Sequence, residues 1–564
     1  MLGVVAMGEG KHEFAAEAIG KAIAINPSIP GFHVNLGIAL GALGQAGKAS
    51  DAFKTAIRLK PDDVDAHYRH AMLLAGSGMV LEAIAELIAT LKLNPKLAAA
   101  HGKLGALLQG VGKSKEAVSA YRASIRLEPT KSQTYANLAA ALSDLGRYDE
   151  AIVASNAAIK LEPNLAHAYV NLGKALHYLD RFDEALAACN EAIRLDPGIA
   201  HAYCNLGRTL NDLGRLDEAI AAYAKAIDIK PDFVDAHVNE ALVHLLQGNF
   251  QRGWRQYQKR LHEREVKSSE NDYVAPPWQG QNLQGRTVLL NSEQGLGDTI
   301  QFSRYALSIQ ERGGSVVLRV PRHTLRLLAG LVRRGTHGHA PGTIRLIAMD
   351  DSIPACDFQI SLLSLPGAFG TTLQTIPDPT PYLYAEQSLQ SAWADRIGNA
   401  GFKIGIVWQG NPKASAERGR SMPLSCFAPL AKIPGVRLIS LQKGPGTEQL
   451  EQVPDGMRVE TPGADFDAGP DAFIDTAALM MHLDLVISVD TATAHLAGAL
   501  GRPVWLALQA IPHWVWMLER SDSPWYSSVR VFRQRERGNW ESVMHDMAAA
   551  ICERMQDAEK TSVD

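Results

Sequence analysis

Across residues 1–262, small and apolar positions return in a frame of 34 residues, and the apolar ones fall at helical spacing, as in Asn171-Leu-Gly-Lys-Ala-Leu and Asp183-Glu-Ala-Leu. Pro27, Pro61, Pro95, Pro129, Pro163, Pro197 and Pro231 mark the frame. Ala15, Ala49, Ala83, Ala117, Ala151, Ala185 and Ala219 keep it. So do Gly44, Gly78, Gly112, Gly146, Gly214 and Gly248, with Asp180 filling the one gap, and glycine or alanine holds positions 37, 71, 105, 139, 173, 207 and 241. Two packed antiparallel helices per unit follow. Small residues let helices approach, glycine turns the chain between them, and proline closes each unit because it cannot continue a helix. Residues 1–27 supply a second helix and only a stub of the first, which predicts exposed apolar surface there.

After Arg286 the rhythm changes. Short apolar runs alternate with helical stretches: Thr287-Val-Leu-Leu-Asn, Ser315-Val-Val-Leu-Arg-Val, Lys403-Ile-Gly-Ile-Val-Trp, Arg437-Leu-Ile-Ser-Leu, Leu485-Val-Ile-Ser-Val and Pro503-Val-Trp-Leu-Ala-Leu. Continuous apolar strands between helices predict parallel sheets covered on both faces. Two such groups, 285–385 and 400–535, predict two Rossmann-like lobes across a cleft, with ligands at the carboxyl ends of the strands. Between the halves lie Phe250-Gln-Arg-Gly-Trp, a charged stretch from His262 to Asp272, and Pro276-Pro277-Trp278. The expected organisation is a repeat array at 1–262 (a partial unit, then seven), a linker at 263–284, an acceptor-side lobe at 285–395 and a donor-side lobe with a terminal helix at 396–564.

Composition narrows the classes. Of 564 residues, 46% are hydrophobic and 21% charged, and the formal net charge is −4. That balance gives no support for nucleic-acid wrapping or membrane-surface binding. Five scattered cysteines without a C-x-x-C pair argue against a disulfide framework or a structural zinc, and fit a reducing cytosol. The N-terminus lacks a basic signal-peptide region, and no apolar run reaches the roughly 18 residues of a membrane helix. A cytoplasmic protein is expected.

Two repeat registers carry polar side chains. Asn35, Asn137, Asn171, Asn205 and Asn239 share one, with Arg69 and Lys103 in the other two repeats. A carboxamide column lining the concave face offers donors and acceptors to an extended peptide backbone without reading its side chains. His33, His67, His101 and His237 share another, exchanged with Tyr135, Tyr169 and Tyr203, which indicates packing rather than metal binding.

Three strand-to-helix junctions carry the chemistry. In Glu293-Gln-Gly-Leu-Gly-Asp298, Gly295 and Gly297 permit a tight turn close to a ligand, and Asp298 is either a general base or a helix N-cap. In Val407-Trp-Gln-Gly-Asn411-Pro-Lys413, followed by Glu417-Arg418-Gly419-Arg420, a glycine-containing strand end meets a basic cluster suited to an anion, with Lys443 at the next strand end. In Ser488-Val-Asp490-Thr491-Ala-Thr493-Ala-His495, a strand delivers Asp490 and a helix starts with Thr493 and His495 in its first turn, where free N–H groups attract a diphosphate.

The first half resembles tetratricopeptide repeats. The third junction resembles the donor-binding segment of heptosyltransferases and related GT-B glycosyltransferases, and the Gly-Leu-Gly-Asp298 loop resembles the first loop of the same families. The layout is similar to bacterial tetratricopeptide glycosyltransferases akin to the protein O-linked N-acetylglucosamine transferases. The resemblance implies an all-α tetratricopeptide solenoid followed by an α/β GT-B-like pair of Rossmann-like lobes. It also implies inverting transfer from a nucleotide-diphosphate sugar without cofactor or metal. Asp298 becomes the catalytic base. Asp490, Thr491, Thr493, His495, Lys443, Arg420 and Asn411 become donor-binding residues, with Gly295 and Gly297 in the phosphate or acceptor loop. The loop around Ser415-Ala-Glu-Arg departs from the heptosyltransferase pattern. The stretches Pro512-His-Trp514-Val-Trp516 and Ser523-Pro-Trp525-Tyr526 have no counterpart there; their aromatics either stack on a ligand or pack in the core. Asp465-Phe-Asp467 matches a metal-binding D-x-D but lacks the strand that such a motif follows.

The expected partner is a protein or peptide acceptor held by the repeats, beside the nucleotide sugar. The alternatives are a glycan- or lipopolysaccharide-directed transferase and a non-catalytic scaffold that binds nucleotide sugar.

Overall fold

A computed structural model describes residues 1–261, 275–337, 342–412 and 417–561. Sixteen helices, from Leu2–Gly8 to Phe250–Tyr257, form the solenoid. The frame prolines sit in the turns that follow each second helix. The frame glycines adopt left-handed backbone in the turn inside each unit, and Asp180 takes the same conformation with φ 59°, which aspartate tolerates better than most residues. Each frame alanine from Ala15 to Ala219 is fully buried. Gly173 shows why the other small register matters: a Cβ there would stand 2.7 Å from the Cys189 sulfur.

The histidine register has a role beyond packing. His33, His67 and His101 each donate from Nε2 to the carbonyl of the preceding frame proline, Pro27, Pro61 and Pro95, at 2.8, 3.1 and 2.9 Å. These bonds fasten the inter-unit turn, where proline leaves a carbonyl with no helical partner. At the start of the chain Leu2, Val4, Val5, Phe14 and Ile25 are exposed, as the stub predicted.

The second half contains two parallel sheets. The strands are β1 (Thr287–Asn291), β2 (Ser315–Val320), β3 (Ile344–Ala348), β4 (Phe358–Ser361), β5 (Phe402–Val407), β6 (Val436–Ser440), β7 (Val459–Glu460), β8 (Leu485–Val489), β9 (Val504–Leu508) and β10 (Val529–Arg533). Their orders are β3-β2-β1-β4 and β10-β9-β8-β5-β6-β7, and every pairing is parallel. The chain is thus a tetratricopeptide solenoid followed by an α/β, GT-B-like pair of lobes. Strand order reverses at β1/β4 and at β8/β5, and it is at the carboxyl ends of strands beside such reversals that open α/β sheets bind ligands.

The chain divides into two compact units, Met1–Leu213 with Lys225–Pro231, and Gly214–Ala224 with Asp232–Asp564. Compactness therefore draws the boundary inside the solenoid, earlier than the expected linker at 263–284. Packing in the second unit explains this. Phe250 and Trp254 of the last repeat contact Trp525 and Trp514, and Trp254 Nε1 donates to the Thr371 carbonyl at 3.0 Å. Of the expected linker, residues 263–274 lie outside the described residues, and the rest is not free. Trp278 is buried and its backbone pairs with Gln359, extending the first sheet beyond β4.

Candidate functional site

The Gly295–Asp298 loop leaves β1 and enters helix Leu296–Phe302, whose N-cap is Gly295. Asp298 is the third residue of that helix, not its cap. Its carboxylate accepts the Gly295 backbone N–H, the back-reach of a capping box. Neither glycine has a left-handed backbone, so the turn does not need glycine at either position for its φ. A Cβ on Gly295 would meet only Asp298 Oδ2 at 3.7 Å, an ordinary contact, whereas one on Gly297 would stand 3.0 Å from Cδ2 of His495. Gly297 is small so that the two lobes can approach here.

From the donor-side lobe, Asp490 follows the end of β8, Thr491 is the N-cap of helix Ala492–Ala499, and Thr493 and His495 lie in its first turn. Ser488 Oγ lies 3.0 Å from Thr491 Oγ1. Arg420 forms an ion pair with Asp490 at 3.3 Å. Burial would raise the Asp490 pKa, but Arg420, with His513, His495 and Trp516 beside it, holds it below the ordinary carboxylate range. Asp298 moves the other way. Burial and the Asp490 charge push it up to about 6, against the Gly295 N–H and Arg420. Burial pushes both His495 and His513 down to about 4, so both rings are neutral at pH 7. Two carboxylates whose pKa values are driven apart beside one arginine are an arrangement capable of acid–base chemistry.

Among the other expected donor-side residues, Lys443 bonds outside this cluster. Asn411 is exposed beside residues 413–416, which lie outside the described residues. Lys443 Nζ donates to the carbonyl oxygens of Phe466 and Asp467. In the solenoid, Asn171 Nδ2 donates to the Ala136 carbonyl at 2.8 Å and Asn205 Nδ2 to that of Val170 at 3.2 Å, each reaching back to the preceding repeat. Asn137 Oδ1 accepts from Gln133, and Asn35 and Asn239 are part-buried. The ladder therefore stitches repeats together with some of its amide donors. Trp516, Trp525 and Tyr526 are fully buried, which decides those aromatics in favour of the core. Asp467 caps the backbone N–H of Asp475, and Asp465 pairs with Arg396, so the D-x-D carboxylates are structural.

Sequence reasoning missed several neighbours. Glu293 forms a buried ion pair with Arg260 of the last repeat and bonds Ser361; nothing in the local pattern announces a pair between a loop and a distant helix end. A cavity of 1220 Å³ lies over the carboxyl ends of β1 and β4 and is lined in part by Trp254, Gln258, Asn291, Glu293, Gln359 and Ser361. His513 belongs to an aromatic stretch that reads as packing.

Comparison with known proteins agrees with this architecture. Tetratricopeptide repeat models match residues 44–127, 120–153, 164–232 and 204–261, and a TPR repeat model matches 141–180. Glycosyltransferase family 9 (heptosyltransferase) matches residues 435–508, the segment holding β6, β8, Asp490 and His495. The chain thus carries tetratricopeptide repeats joined to a glycosyltransferase family 9 segment. It is similar to Protein FlbA of Caulobacter vibrioides, with 27% identity over 326 residues, 55% of this chain and 54% of that one. The chain spans about half the length of that curated relative. Among solved structures, YrrB, a TPR protein with an unusual peptide-binding site, is 27% identical over 33% of this chain and 96% of its own (TM-score 0.29). MamA is 30% identical over 29% and 96% (TM-score 0.25).

Proposed function

We propose that the protein is an inverting glycosyltransferase that uses a nucleotide-diphosphate sugar and no metal or cofactor, with a protein or peptide acceptor presented by the repeats. The observation that carries this reading is that Asp298, raised to about 6 by burial and by the charge of Asp490, lies near the Arg420–Asp490 ion pair of the other lobe. The family 9 segment supports the sugar-transfer class.

In this mechanism the donor diphosphate lies at the N-terminus of helix Ala492–Ala499, where first-turn N–H groups, Thr491 and Thr493 meet it and Arg420 offsets its charge. Asp490 accepts a hydroxyl of the sugar. The acceptor hydroxyl enters from the 1220 Å³ cavity. Its oxygen bonds to the anomeric carbon as the bond from that carbon to the diphosphate oxygen breaks, and its proton passes to Asp298. At pH 7 a carboxyl of pKa about 6 is mostly ionised and still basic enough for that step. The Asn ladder holds extended acceptor chain through its remaining amide groups.

The test is release of nucleoside diphosphate from a panel of nucleotide sugars by wild type and Asp298→Asn. Turnover by wild type and its loss in the variant are expected. Binding without turnover by wild type would point to a scaffold, and unchanged turnover in the variant would remove Asp298 from the base role.

A further inference from the structure

Asp298 stands in the first turn of a helix of seven residues, Leu296–Phe302. Thr299 to Phe302 are buried, whereas Gly295 is exposed and Leu296 and Gly297 are only part-buried. Two turns of helix are marginal alone and fray from an end that is not packed. Glycine at 295 and 297 adds backbone freedom there, and a side chain at 295 would meet only Asp298 itself. The place of the proposed base is therefore set by what holds the loop before it, Ser292 to Gly295, and the first turn after it.

Three contacts do so. Ser292 Oγ lies 2.7 Å from Thr299 Oγ1 and ties the loop to its own helix. Gly297 faces the His495 ring, which stacks on Trp516 at 5.0 Å. The third comes from the end of the last repeat. Arg260 Nη2 donates to Glu293 Oε1 at 2.5 Å and to Ser364 Oγ at 2.9 Å, and Nη1 donates to the Tyr257 carbonyl at 3.0 Å. The guanidinium carbon lies 4.3 Å from the Tyr257 ring centroid, and the Tyr257 hydroxyl accepts from Gln294 Nε2 at 3.3 Å. Glu293 and Gln294, the two residues before the helix N-cap, are both gripped from this one helix end.

The Arg260 grip is the stiffest of the three. The Arg260 and Glu293 side chains are 9% and 4% exposed. At that burial either charge without the other is costly, so Glu293 cannot follow a drifting loop without stripping Arg260 of its counter-charge. Ser361, the last residue of β4, also donates to Glu293, so the carboxylate is bridged between the sheet and the helix end. Glu293 is close enough to Asp298 for its charge to be among the causes that raise the Asp298 pKa.

We propose that Arg260, aided by Tyr257, is a positioning residue: by gripping Glu293 and Gln294 it fixes the first turn of helix Leu296–Phe302 and with it the place of Asp298. The end of the last repeat then belongs to the frame of the active site. That Asp298 is the base rests on the function proposed above; the grip on its loop does not.

The test compares the full chain with Arg260→Met, with Arg260→Met/Glu293→Gln, which leaves neither charge buried alone, and with Tyr257→Phe, which keeps the ring and removes only the bond to Gln294. Hydrogen exchange without nucleotide sugar is followed in residues 292–302, with β2 and β8 as controls. In the Arg260 variants the amides of 292–302 are expected to exchange roughly tenfold faster or more while β2 and β8 keep their rates, the mark of local opening. Release of nucleoside diphosphate should show kcat lowered roughly tenfold to a hundredfold with a smaller change in donor KM, because the base is displaced while the donor helix Ala492–Ala499 is not. Tyr257→Phe should show the same pattern more weakly, and it decides the matter if neither Arg260 variant folds. Unchanged exchange in 292–302 overturns the proposal. So does acceleration spread equally over β2 and β8, which is the result of a purely structural role, and so does a loosened loop with undiminished kcat. If wild type turns over no nucleotide sugar while the variants show the local acceleration, the grip stands and the glycosyl-transfer reading alone falls.

Discussion

Gly297 and His495 approach so closely that a methyl group on the glycine would stand 3.0 Å from the imidazole Cδ2 and 3.5 Å from the Ala492 Cα. The loop of one lobe thus rests on the helix of the other at the point where Asp298 and Asp490 face each other. Gly297→Ala must push the Asp298 loop outward or turn the His495 ring off Trp516. Overpacking of this kind costs about 1–2 kcal/mol. A displaced base costs more in rate than in stability, and turnover is expected to fall roughly a hundredfold. Thermal unfolding and nucleoside diphosphate release read the two effects; full activity would show that the contact does not hold the base.

Asp298→Asn is expected to lose transfer activity and to gain stability. The raised pKa, about 6, means that the folded state disfavours the ionised carboxylate, so wild type bears a cost at neutral pH that the amide does not. With an unfolded value near 4, that cost is on the order of 2 kcal/mol above about pH 6, shrinks as pH falls, and vanishes below about pH 4. Denaturant unfolding of both proteins at several pH values checks the sign. A stability difference that grows on acidification would contradict the raised pKa. On the activity side, the acid limb of wild-type turnover should fall near pH 6.

The parts of the second half legible in the sequence were those buried on both faces. β1, β5, β8 and β9 read as continuous apolar runs because helices cover both sides of them. The edge strands were not legible. β3 and β10 mix exposed with buried residues, β4 has four residues and β7 two. The site divided in the same way. Asp298, Asp490, Thr493 and His495 were readable because each stands where a strand meets a helix. His513 and the Arg260–Glu293 pair were not, because they come from loops and helix ends that only the tertiary fold brings together. In the solenoid, strict repetition exposed the small-residue positions, while the bonds from His33, His67 and His101 to the frame prolines required geometry.

Arg420→Met leaves the Asp490 carboxylate buried without its first counter-charge. Breaking a largely buried pair costs about 2–4 kcal/mol, and Arg420 is itself mostly buried. In wild type the lowered Asp490 pKa contributes stability that is present above the unfolded carboxylate value and lost as pH falls through the folded one. In the variant, burial acts unopposed by Arg420, so the destabilisation is largest near neutral pH, shrinks as pH falls toward the unfolded carboxylate value, and is gone only below the lowered folded value of wild type. Urea unfolding near pH 7 and pH 4 distinguishes this from simple loss of packing, which would cost the same at both. Donor affinity should fall as well.

The Asn register makes a prediction that separates its two roles. Asn205 is 8% exposed and gives Nδ2 to the Val170 carbonyl of the preceding repeat. Asn205→Ala removes a buried inter-repeat hydrogen bond from a carbonyl that keeps its helical partner, and is expected to cost about 1 kcal/mol. Asn35 has more open surroundings and follows only the stub unit, so Asn35→Ala should cost a few tenths of a kcal/mol. If the register also grips extended acceptor chain, both substitutions should raise KM for a peptide acceptor while leaving a free glycan acceptor unaffected. Stability then ranks Asn205 far above Asn35, and acceptor KM ranks them close together. A KM effect that tracks the stability loss, or one equal for peptide and glycan, would reduce the ladder to inter-repeat stitching and place acceptor recognition in the cavity above β1 and β4.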